Sequence, residues 1–95
     1  MELGPNQKQW VADLRSGKFE QCTLCLYEEG AFCALGMVDR EWVKQDPMDY
    51  VHVRDRVALI DQDRVWVWND TAELTFPEIA DLIEKHADEL FSEPR

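Results

Sequence analysis

Apolar positions along the chain change period several times, and each change predicts an element. Trp10, Val11 and Leu14 recur at helical spacing. With Asn6 as cap and Gly17 as stop, they predict a first helix ending near Ser16. Residues 18–27 then alternate. Cys22, Leu24 and Leu26 fall on one face and Thr23, Cys25 and Tyr27 on the other, as in a strand. Glu28-Glu29-Gly30 reads as a turn, with residues 31–33 returning as a short second strand. Phe32, Leu35, Val38 and Trp42 restore a period of three to four and predict a helix to about Lys44, weakened by Gly36. Residues 45–50 contain Asp46-Pro47 and read as a loop, while residues 51–53 fit no single period.

Two β-prone runs follow, residues 57–60 and 65–68, around the polar Asp61-Gln62-Asp63-Arg64. Propensity and spacing predict a β-hairpin, with Trp66 and Trp68 on one face and Val65 and Val67 on the other. Thr75-Phe76-Pro77-Glu78 is the signature of a capping box with proline in the first turn. Phe76, Ile79, Ala80, Ile83, Ala87 and Leu90 continue it as an apolar stripe ending near Phe91, with Glu78, Asp81, Glu84 and Asp88 on the opposite arc. Residues 92–95 are expected to fray. The expected fold is therefore α+β in one domain over residues 1–95: a small antiparallel sheet built from hairpins, about three helices, and the C-terminal amphipathic helix packed on the sheet.

Composition supports a folded chain rather than a disordered one, at 45% hydrophobic and 32% charged residues. Charge changes the picture more. Ten basic and twenty acidic residues leave a formal −10, and residues 69–95 alone, with eight acids and two bases, carry −6. A field of that sign repels phosphates, so direct nucleic-acid binding and anionic membranes are excluded and a partner with a basic surface is favoured. The N-terminal residues lack the basic and apolar segments of an export signal, and the longest near-apolar run, residues 31–38, is too short to span a bilayer. Cys22, Cys25 and Cys33 are then expected to be reduced thiols in a cytoplasm.

Leu14-Arg15-Ser16-Gly17-Lys18-Phe19, the later Phe32-Cys33-Ala34-Leu35-Gly36, and Asn69-Asp70 through Leu74-Thr75-Phe76-Pro77-Glu78-Ile79-Ala80-Asp81-Leu82-Ile83-Glu84 resemble a pattern in small uncharacterised accessory proteins of phages and prophages. The group carries a second cysteine where this chain has Ala34. The resemblance implies a phage-type origin and an accessory role in an infected host cell. It transfers no catalytic residue.

Candidate chemistry is sparse. Cys22-x-x-Cys25 with Cys33, and His52 or His86 as fourth ligand, would suit zinc, but cysteines three apart on a strand point to opposite faces. Asp61-x-Asp63 lacks the further acid and glycine of a calcium loop. The histidines read as surface residues, and no nucleophile, base and orienting group align. No catalytic residue, metal ligand or cofactor is assigned. The sequence-level function is a non-enzymatic acidic protein of phage type. It is expected to bind and modulate or inhibit a host protein, with a nucleic-acid-handling defence complex as the target of a DNA-mimicking acidic surface. The contact residues are Glu78, Asp81, Glu84 and Asp88, or the pair Trp66 and Trp68; the alternative class is a structural or cysteine-based metal-binding module. Carboxylates three to four residues apart on a helix sit roughly 5–6 Å apart, near the spacing of strand phosphates.

Overall fold

The computed structural model describes residues 1–95. Helix α1 spans Pro5–Arg15. It starts earlier than Asn6 because Pro5 occupies its first turn and the Gln7 side chain folds back, its Oε1 accepting from the Gly4 N–H at 2.9 Å. Asn6 is thereby released to donate from Nδ2 to the Arg56 carbonyl at 3.1 Å.

The extended run predicted for residues 18–27 is interrupted. Only Glu20–Gln21 (β1) and Tyr27–Glu28 (β2) are strand, and residues between them form a turn in which Leu24 has φ +69°. A left-handed residue ends the alternation: Leu26 is fully buried while Leu24, on the same predicted face, is 76% exposed. Glu29 and Gly30, both at positive φ, close a tight hairpin from β2 into β3, Ala31–Phe32. The sheet has the order β1-β3-β2. It is mixed, because β1 pairs parallel with β3 while β2 pairs antiparallel.

The helix expected over residues 32–44 is split into a 3₁₀ turn, Gly36–Val38, and α2, Arg40–Gln45. Gly36 lies against the Leu26 carbonyl, where an added Cβ would come within 2.0 Å of its oxygen, so glycine is there for close approach. Asp39 then leaves helical geometry and accepts from the Trp42 N–H to cap α2. Helix α3, Tyr50–Arg56, is capped in the same way by Asp49.

The hairpin over residues 57–68 does not form. Asp61 caps α4, Gln62–Trp66, by accepting from the Arg64 N–H at 3.2 Å, and the chain runs on into a π-helical turn, Val67–Thr71. A capped helix start and burial of Val65 override β propensity. The β-prone residues 57–60 instead pair with the chain end: Leu59 bridges Phe91, the Ile60 N–H donates to the Leu90 carbonyl at 2.7 Å, and the Ser92 N–H donates to Ala58 at 3.0 Å. With the Gln7 side chain donating from Nε2 to the Glu93 carbonyl and its backbone N–H donating to the Arg95 carbonyl, residues 92–95 are tied down rather than frayed.

Helix α5, Phe76–Lys85, follows its capping box as expected: the Thr75 N–H donates to Glu78 Oε1 at 3.0 Å and the Glu78 N–H to Thr75 Oγ1 at 3.4 Å. His86 breaks it before α6, Ala87–Leu90. All six residues of the predicted stripe are buried. They pack chiefly on α1, not on the sheet, which is too small to cover a helix. One apolar cluster from Trp10 to Phe91 unites the chain into a small α+β fold. No helix is long and apolar enough to cross a membrane.

Candidate functional site

The predicted acidic face of the last helix exists, with Glu78, Asp81, Glu84 and Asp88 all exposed. Its charges are already engaged. Arg15 reaches from α1 to Asp81 at 2.6 Å and also pairs with Glu84, Asp88 pairs with the N-terminal ammonium, and Glu78 is held in the capping box. The Thr75 bonds keep the Glu78 carboxyl below its ordinary range.

Trp66 and Trp68 do not share a face, because the segment is helical rather than extended. Trp66 is 46% exposed beside exposed Val67, whereas Trp68 is half-buried against the core near His86.

The turn after β1 brings together two cysteines that a continuous strand would point to opposite faces. Cys22 Sγ and Cys25 Sγ lie 3.7 Å apart, and Cys25 Sγ is 3.6 Å from Glu28 Oε2. Burial, then the bond to Cys25, pushes the Cys22 thiol up to about 12. Burial also raises Cys25, partly offset by its bond to Cys22. Cys33 is buried, its sulfur facing the Gly36 N–H at 3.4 Å, and burial raises it to about 11. No three metal-donor side chains converge. Thr23, Leu24, Cys25, Tyr27, Glu28, Pro47 and Met48 line an open groove of about 560 Å³. Its lips, Leu24 and Met48, are each 76% exposed.

Charge distributes unevenly around this frame. Eight of the ten lysines and arginines are paired with carboxylates of the chain, leaving Lys18 and Lys85. Nine carboxylates have no ionic partner, and among them are Glu20, Glu28, Glu29 and Asp46. Glu28 lines the groove, Glu29 follows it in the hairpin turn, and Asp46 precedes Pro47 on the opposite lip. Glu20 and Glu28 flank Ala31 in one row across the sheet.

One polar residue that periodicity did not single out, Asn69, holds this end of the molecule together. Asn69, buried in the π-helical turn, accepts from the Ala34 N–H at 3.0 Å and from Gln21 Nε2 at 2.8 Å, and donates to the Cys22 carbonyl at 2.9 Å. Its only sequence signal is a polar residue beside an apolar run. The carboxylate of neighbouring Asp70 has a buried Oδ2 with no hydrogen-bond partner. His52, expected at the surface of a strand or loop, is half-buried on α3, 2.8 Å from Asp39 Oδ2 and stacked on Trp42. Hydrogen bonds from His52 and the Trp42 N–H, with Arg56 nearby, hold Asp39 below its ordinary range despite burial. His86 is bonded to Glu89 at 2.8 Å. Asp61, half of the Asp61-x-Asp63 pair, serves as a helix cap.

Neither a curated protein nor a solved structure matches the chain. A family model described as a domain of unknown function, DUF8296, matches residues 5–66, more than half of the chain and a segment holding all three cysteines and both lips of the groove. The chain belongs to the DUF8296 family.

Proposed function

We propose that this protein is a non-enzymatic acidic binding protein that docks on a basic surface of a host protein and modulates it, in the accessory role that its resemblance to phage proteins implies. The partner is a nucleic-acid-handling protein, whose phosphate-binding surface the carboxylates occupy. The observation that carries this reading is the pairing pattern: nearly all the chain's cations are consumed internally, while nine carboxylates are not. Exposed Leu24 and Met48 beside Glu28, Glu29 and Asp46 combine apolar anchors with a charged rim, the anatomy of a protein interface. On the α5 face, Arg15 and the N-terminus oppose the same use of Asp81, Glu84 and Asp88. Both histidines are bonded to carboxylates rather than to a cysteine, which supports binding over catalysis.

The test is capture from host lysate on immobilised protein, with two charge-reversed forms in parallel. Reversal of Glu28, Glu29 and Asp46 to lysine should abolish capture of a basic protein. Reversal of Glu78, Asp81, Glu84 and Asp88 should weaken it less. Capture should also fail as salt rises from about 0.1 M to about 1 M, where the screening length falls from about 10 Å to about 3 Å, and nucleic acid should compete. A partner held equally by both reversed forms and in high salt would overturn the reading. It would favour an apolar interface at Trp66 and Val67, the exposed aromatic and aliphatic pair of the α4 end.

A further inference from the structure

The cysteine turn is the one place where two reactive side chains of the same kind meet at the surface. Cys22 Sγ and Cys25 Sγ are in van der Waals contact at 3.7 Å, and a disulfide needs about 2.05 Å. The Cys22 N–H still donates to the Phe32 carbonyl at 2.8 Å, so the closing movement falls on the irregular residues after it, with a strained left-handed leucine between the two cysteines. Cys25 also lines the groove, next to Leu24 and facing Met48, so a bond to Cys22 must move one wall of it. Cys33, buried beneath, bonds the Gly36 N–H and has no access to solvent comparable to that of Cys25.

We propose that Cys22 and Cys25 form a reversible intrachain disulfide in exchange with a small glutathione-type disulfide, and that closing it reshapes the Leu24–Met48 groove. The consequence for partner docking rests on the function proposed above; the exchange itself does not. Cys25 loses its proton to solvent and its thiolate attacks one sulfur of the oxidant. A mixed disulfide forms and one oxidant thiolate leaves, to be protonated. Cys22, deprotonated in turn, attacks Cys25 Sγ of the mixed disulfide and expels the second thiolate. Two electrons pass from the cysteine pair to the oxidant, which ends as two thiols. Cys25 is the first to react because it is the less buried, and because Cys22 can donate its S–H to the Cys25 sulfur. Both thiols titrate above their ordinary range, so the exchange is slow at neutral pH and its rate rises about tenfold per pH unit below the thiol pKa.

The experiment treats the folded full chain with oxidised glutathione and follows it by mass spectrometry and peptide mapping. The expected product has lost two hydrogen atoms, carries a 22–25 bond, and keeps one thiol, Cys33, that reacts fully only after unfolding. Cys22→Ser should stop at a stable glutathione adduct on Cys25, and Cys33→Ser should oxidise like the wild type. The Met48 methyl resonance should shift on oxidation and return on reduction, a readout that needs no partner. A lasting adduct on the wild-type chain, a disulfide to a second chain, or no reaction under conditions that oxidise a small dithiol would overturn the exchange. An oxidised chain with an unmoved Met48 methyl would overturn the reshaping. Failure to capture a basic partner, with these outcomes intact, would count against the docking function alone. Mapping of the wild-type product decides the bond even if Cys22→Ser does not fold.

Discussion

Two acidic surfaces of the same sign differ in how the folded molecule uses their charge. The outer face of α5 carries four carboxylates at helical spacing, yet Arg15, the N-terminus and the Thr75 cap engage all of them. Around the cysteine groove Glu28, Glu29 and Asp46 are scattered in sequence, flank a turn and two lips, and form no salt bridge with the chain's own cations. Formal charge therefore measures what the chain contains, and pairing decides what it can offer a partner. The two surfaces also differ in what lies beneath. Under α5 is a continuous apolar stripe, while the groove is framed by exposed Leu24 and Met48 on irregular backbone.

That difference can be broken by substitution, and the largest effect belongs to the α5 side. Ile83→Ala empties a fully buried position and should destabilise the fold by roughly 2–5 kcal/mol, a marked drop in thermal melting. Leu24→Ala at the groove lip should change stability by no more than about 0.5 kcal/mol. Comparable losses at the two positions would mean that the groove is part of the core.

A second effect separates the groove side by pH. The folded Cys22 thiol titrates at about 12 against an ordinary 9, so the unfolded chain gives up this proton first as pH rises. Its contribution to stability is complete below pH 9 and drains away between 9 and 12. Buried Cys33, raised to about 11, adds a loss of the same sign. Denaturant unfolding should show stability falling through this alkaline window, with a smaller fall in Cys22→Ser. An identical fall in that variant would remove the turn from the explanation.

The smallest effect sharpens the comparison of charge. Arg15→Met removes the cation shared by Asp81 and Glu84 on a partly exposed surface and should cost less than about 1 kcal/mol in melting. It should also make the α5 face resemble the groove rim electrostatically. Binding of a basic partner by that face should then strengthen, measured by the loss on reversing Asp81 and Glu84 in the Arg15→Met background compared with wild type.

Legibility followed the length of each pattern. The capping box and stripe of α5 could be read residue by residue because one local rule, repeated over several turns, decides them. Residues 57–68 could not, since valine and tryptophan suit a strand but Asp61 and a buried Val65 suit a helix, and packing chose the helix. The α+β class, the acidic balance and the α1 and α5 stripes were thus determined by the sequence itself, through composition and local periodicity. Tertiary structure alone decided that α5 rests on α1 and that residues 57–60 pair with the chain end. It also decided that Arg15 consumes the acidic face and that Cys22 meets Cys25. Each of these joins side chains whose meeting depends on long-range contacts or on one left-handed residue, Leu24, and neither leaves a period in the sequence.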